Sequence, residues 1–311
     1  MTAQEIINST QTKTAKMLAL FELGHTRVEV AQMLGVGYGF VQNVYARRYN
    51  NNATQARAGA AYNWTGFTHK FGVEIEAHGV NKEKLIRALN TAGIECVGES
   101  YNHETRNHWK VVSDNSLSGD NPFELVSPPL VGQEGLNQLQ IVCRVLNDMG
   151  AMVNKSCGLH IHFDANGFDL NTWKNLYLNY AELEESLDSI LPASRRANTN
   201  NYCKSIKTRG YRTAISGANS LREIEDAITS RSRYYKLNTQ SFWRQRTVEF
   251  RQHSGTVEYE KISNWILLLA QLIEFSKTQS VTNGNFETLK SILQHEQQTY
   301  IQERHDKFAR Q

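Results

Sequence analysis

Four stretches of this chain carry acids or histidines in β-like runs where polar and apolar side chains alternate. They are Phe71-Gly72-Val73-Glu74-Ile75-Glu76, then Asp114 with Glu124-Leu125-Val126-Ser127-Pro128-Pro129, then Cys157-Gly158-Leu159-His160-Ile161-His162, then Val248-Glu249-Phe250-Arg251. Successive strand side chains point to opposite faces. Glu74 and Glu76 therefore share a face, as do His160 and His162, and Glu249 and Arg251. Strands of this kind build one sheet surface lined with carboxylates, imidazoles and an arginine. Acids crowded together repel one another unless cations hold them, so that surface is a candidate site for several metal ions.

The chain has 311 residues, 40% of them hydrophobic, which is enough for one large core with a small appendage or for two domains. Only four prolines occur and no tract is low in complexity, so most of the chain is expected to be ordered. The apolar run from Trp265 to Ile273 is too short to span a bilayer and reads as a buried helix, so no membrane partner is expected. The first residues lack a basic-then-apolar signal pattern. Cys96, Cys143, Cys157 and Cys203 form no CxxC pair and read as reduced thiols. Together these features point to the cytoplasm. Residues 1–66 hold six Lys or Arg against three Glu, which accounts for the whole net charge of +3. Such a split implies two modules with different partners.

In the first module, residues 1–50, three short helices are expected over about 12–23, 27–34 and 38–49. Thr26 with Glu29 has the spacing of a capping box, and Gly35-Val36-Gly37 supplies a turn. Val28, Ala31, Leu34, Val36, Val41 and Val44 form the apolar seam. The pattern resembles a helix-turn-helix. Residues 11–49 would then contact DNA through Gln42, Asn43, Arg47 and Arg48, or dock on a protein. Residues 51–66 read as a linker, and 67–311 as the second module. There, strands over 68–78, 94–99, 108–113, 123–127, 158–164 and 246–251 mix with helices over 81–92, 133–149, 171–190, 220–229, 259–277 and 286–308. This order argues for an α+β fold with a mainly antiparallel sheet and flanking helices. Neither a GxGxxG loop nor a GxxxxGK[ST] loop is present.

Hard oxygen ligands at strand ends, such as Asp114 and Glu124, suit Mg²⁺ or Mn²⁺; an aspartate beside Asn and Ser also serves turns. The two prolines after Glu124-Leu125-Val126-Ser127 must end strand pairing there. Two histidines at i, i+2 in an apolar run fit a ligand pair. The same pair occurs in metal-dependent nucleases that use a tyrosine nucleophile, so a DNA-binding nuclease or regulator is the alternative reading. Glu249 and Arg251 favour nucleotide chemistry, because acids neutralise cations while arginine suits bidentate contact with a phosphoryl group.

The second module, roughly residues 67–280, resembles the amidoligase family of carboxylate–amine ligases, related to glutamine synthetase and glutamate–cysteine ligase. The resemblance rests on the four stretches above, with Trp109-Lys110 leading to Asp114-Asn115-Ser116, Arg195-Arg196 through Tyr202-Cys203, and Ser254-Gly255-Thr256. It implies a sheet like the glutamine synthetase catalytic domain, ATP and Mg²⁺ or Mn²⁺ as cofactors, and amide formation through an acyl phosphate. Substrates would be small-molecule or peptide carboxylates and amines, and an oligomer is compatible with the family. The resemblance further implies metal ligation by Glu74, Glu76, Asp114, Glu124, His160 and Glu249. It places His162 beside the nucleotide phosphates and gives Arg251 the γ-phosphoryl group, with Glu249 and Arg251 as the catalytic pair. Lys110, Arg195, Arg196, Arg209, Arg212 and Arg233 are the candidate cations for phosphates or a substrate carboxylate. Asn115 stands where the family has glycine. A helix-turn-helix is attached to phage-type members, which points to a viral or mobile-element source. A ligase fold reduced to a binding domain is a third reading, disfavoured by the full set of acids, both histidines and Arg251.

Overall fold

Thr26 caps a helix, α3, over Arg27–Leu34, and Glu29 returns the bond to the Thr26 N–H, so the expected capping box forms. The computed structural model describes residues 2–45, 66–102 and 104–310. The expected linker over residues 51–66 therefore falls almost wholly outside the described residues, as do Arg47 and Arg48 and the side chains of Gln42 and Asn43. Two compact units emerge, Met1–Gly66 and Phe67–Gln311.

In the first unit, α1 (Ala3–Asn8), α2 (Lys13–Glu22) and α4 (Tyr38–Tyr45) join α3. Helix α1 was not expected; at 6 residues it is too short for a clear apolar period, yet Thr2 and Glu5 close a capping box on it. Gly35 ends α3 at φ 58°, a left-handed conformation that glycine adopts without strain. Ile6, Met17, Leu20, Val30, Val41 and Val44 are the buried core, with Ala31, Leu34 and Val36 packed against it.

The second unit is a mixed α+β body. Its strands are β1 (Lys70–Ala77), β2 (Cys96–Gly98), β3 (Trp109–Val112), β4 (Phe123–Val126), β5 (Leu130–Val131), β6 (Gly158–Asp164), β7 (Leu237–Asn238) and β8 (Thr247–Ser254). They form one sheet in the order β2-β3-β4-β1-β6-β8-β7, with β5 also on β1. Every pairing is antiparallel except β2 with β3. Helices α5 (Lys82–Thr91), α6 (Gly132–Asp148), α7 (Leu170–Ser189) and α11 (Tyr259–Ser276) flank it; α8 (Tyr211–Gly217), α9 (Leu221–Ile228), α10 (Gln240–Gln245), α12 (Phe286–Ile292) and α13 (His295–Ala309) complete the unit.

One sheet face is apolar. Phe71, Val73, Ile75 and Ala77 on β1, Leu125 on β4, Leu159, Ile161 and Phe163 on β6, and Phe250 on β8 are all at most 1% exposed. Helices cover this face: Phe250 packs on Tyr180 of α7, His253 on Trp265 of α11, and Trp109 donates to Gln138 of α6. Helix α11 is buried from Ile262 to Ile273, so the apolar run is a core helix. Among the described residues no helix is long and apolar enough to cross a membrane.

The departures from the expected elements have local causes. Two-residue strands β5 and β7 and the short helices α8 and α10 fall below the length at which a period is visible. The expected helix over 286–308 is two helices, broken at Leu293 and Gln294; the buried Gln271 side chain accepts the Gln294 N–H there. On β8 the strand alternation breaks after Arg251. A register shift opposite Leu159 and Ile161 sends both Gln252 and His253 into the core.

Candidate active site

The register of three central pairings decides what meets on the open face. Glu74 lies opposite His160, Gly72 opposite His162, Glu76 opposite Glu124, and His162 opposite Glu249. Directly opposed strand residues are close neighbours, so four carboxylates and two imidazoles from β1, β4, β6 and β8 converge. They line a cavity of about 390 Å³ together with Asp114, Arg195 and Arg251.

Distances show how tight the cluster is. His160 Nδ1 is 2.9 Å from Glu74 Oε2 and 3.6 Å from Glu249 Oε1, and its Nε2 is 3.7 Å from Glu76 Oε1. His162 Nε2 is 3.3 Å from Glu74 Oε1 and 3.9 Å from Glu249 Oε1, while its Nδ1 meets Thr247 Oγ1 at 3.0 Å. The Gly158 N–H donates to Glu76 Oε2. Gly158 cannot carry a side chain without crowding the site, since a Cβ there would lie 3.0 Å from His160 Nε2 and 3.2 Å from Glu76 Oε2. Asp114, two residues past β3, accepts the Ser116 N–H on Oδ1 at 2.7 Å, so the residue makes a turn and still reaches the cavity.

The electrostatics divide the carboxylates. Burial raises Glu124, and the neighbouring charges of Glu74, Glu76 and Asp114 push it further, well above the usual carboxylate range. Burial would also raise Glu74, but both imidazoles outweigh it and hold Glu74 well below that range. Glu249 is buried too, and the Arg251 guanidinium holds it low. Burial opposes a charge on His162, yet contact with Glu74 raises its pKa.

Three overlapping groups could each hold a cation: Glu74, His162 and Glu249; Glu74, Glu124 and His160; Glu76, Asp114 and Glu124. Within each group the ligand atoms lie within 4.8 Å of one another. Two unit charges about 4 Å apart repel by on the order of 4 kcal/mol at an effective dielectric near 20. Carboxylate-rich sets of this kind match Mg²⁺ and Mn²⁺. His162 Nε2 makes no well-aligned hydrogen bond and faces only the Glu74 and Glu249 oxygens, at 3.3 and 3.9 Å, an arrangement that a cation between them would satisfy. The residues thus fit divalent cations.

The candidate cations sort differently. Arg251 pairs with Glu249 Oε1 and donates from Nε to the Tyr202 carbonyl at 3.3 Å. Arg195 is buried, donates to the Cys157 carbonyl, and lines the cavity. Lys110 also lines the cavity, but its ammonium donates to Asn102 Oδ1 at 2.8 Å, Asn102 O at 3.3 Å and Glu104 O at 2.8 Å. Three donors meet three acceptors, so Lys110 anchors the loop over the cavity. Arg196 points away: its Nε donates to the Leu191 carbonyl and its guanidinium lies over Phe308.

Sequence reasoning named Arg233 as a candidate cation but gave no role to the tyrosines of the cavity's mouth. Tyr101, Tyr202 and Tyr234 line it and are 37–53% exposed, with Arg233 over the Tyr234 ring at 5.2 Å. These residues sit in irregular loops, where no period exists to read. Thr247 was within reach, since 247, 249 and 251 share the alternation of β8.

Residues 68–273, well over half of the chain, match the family model of amidoligase enzymes. A solved structure described as the crystal structure of a novel glutamine synthase homolog is similar, with TM-score 0.42 and 14% identity over 83% of this chain and 69% of that chain. No curated protein matches the sequence.

Proposed function

The chain belongs to the amidoligase family, and from that premise we propose that it is an ATP-dependent carboxylate–amine ligase working through an acyl phosphate. One observation carries this reading. Three overlapping cation-competent groups share the open sheet face with an arginine, Arg251, whose side chain is 12% exposed.

Glu74, Glu76, Asp114, Glu124, His160, His162 and Glu249 would hold divalent cations, which supply charge neutralisation between a triphosphate and a substrate carboxylate. Arg251 would contact the phosphoryl group in transfer; Glu249 holds its guanidinium in place. Arg195 would bind a substrate carboxylate or a phosphate at the Glu76 end. A carboxylate is a poor acyl donor because its oxygens leave badly; phosphorylation gives it a leaving group, and a neutral amine then forms the amide. The substrates on this reading are a small-molecule or peptide carboxylate and an amine.

The product nucleotide tests the route. Incubation with ATP, Mg²⁺ and pooled acids and amines should yield ADP and phosphate. AMP and pyrophosphate would mean adenylation, and the acyl-phosphate reading would be abandoned.

A further inference from the structure

Glu249 is the acid that the sheet's edge holds in place. On β7, Asn238 pairs with Glu249 across the ladder and is 2% exposed. Its Nδ2 donates to Glu249 Oε2, and its Oδ1 accepts the backbone N–H of Gln240 at 2.9 Å. That N–H can only donate, so the side-chain amide has one satisfied orientation, with its NH₂ toward Glu249. The other oxygen of Glu249, Oε1, is the one near Arg251, His160 and His162. A carboxylate otherwise turns freely about its last torsion. With Oε2 tethered, the place of Oε1 follows.

We propose that Asn238 is a positioning residue that dedicates one oxygen of Glu249 to a divalent cation shared with Glu74 and His162. The proposal rests on the ligase reading only in taking Glu249 as a metal ligand. Outer contacts of this kind orient metal-binding carboxylates, and their loss costs about 10- to 100-fold in metal affinity.

The test is a Mn²⁺ titration of the full chain, read by the spin resonance of free Mn²⁺. Asn238→Ala removes the donor. Asn238→Ser keeps a short acceptor near the Gln240 N–H but does not reach Glu249, and it carries the test where the alanine variant fails to fold. Leu237→Ala is the control, because Leu237 is fully buried on the same strand and faces away from the site. The proposal expects one Mn²⁺ to bind about 10- to 100-fold more weakly in both Asn238 variants. Leu237→Ala should melt lower yet bind as wild type. Binding within about twofold of wild type in Asn238→Ser overturns the proposal, as does equal weakening in Leu237→Ala. Wild type that binds no Mn²⁺ would remove the metal reading itself, and this proposal with it.

Discussion

At the scale of single residues the cluster is a conflict that the fold tolerates. Glu124 shows it best: burial first, and then three neighbouring acids, raise its pKa. A raised carboxylate pKa lends stability that is present below its unfolded value and lost as pH rises through its folded value. In metal-free protein, Glu124→Gln should therefore raise the thermal midpoint at pH 7, with an advantage over wild type that grows from pH 5 to pH 8. The same variant should bind Mn²⁺ at least about tenfold more weakly, by analogy with the loss of metal-site partners. Thermal melts across pH beside a Mn²⁺ titration check both signs; a variant less stable than wild type at pH 7 would contradict the electrostatic account. The convergence of acids and histidines was partly legible, because most of them lie on strands, where alternation alone put Glu74 beside Glu76 and His160 beside His162; Asp114, past the end of β3, carried no such period. Asn238 carried no such mark: it sits in a two-residue strand, and only the folded ladder reveals its partner.

At the scale of elements, a sheet with one face under helices and one face open explains where the site must be. The long strands and helices were readable because each keeps a clear period, as β6 and α7 do. Short β5, β7, α8 and α10 were not, since tertiary contacts and not local pattern define them. The loop after β2 belongs to that group, and Lys110 holds it. A lysine in a stretch that resembles an ATP-using family invites assignment to phosphate, and sequence cannot show that oxygens of the loop claim its donors. Lys110→Met should loosen this loop by about 1–3 kcal/mol, on the scale of lost hydrogen bonds. Hydrogen exchange should quicken over residues 99–106 while the core strands stay protected. Unchanged exchange in the loop would mean that the ammonium is not its anchor.

At the scale of the whole molecule, the chain holds a small helical unit and a large α+β unit. Among the described residues, those lining the cavity belong to the second. Residues 67–311 alone should therefore keep Mn²⁺ affinity within about twofold of the full chain, and loss of binding on excision would show that the first unit contributes to the site. The measurement that bears most directly on the central claim is phosphate release from ATP with Mg²⁺ across a panel of acids and amines, for wild type and Glu249→Ala. A ligase releases phosphate only when a matching acid and amine are both present, and Glu249→Ala should abolish that release. Equal release from the variant, or Mg²⁺-dependent cutting of single-stranded DNA with no nucleotide present, would contradict the account.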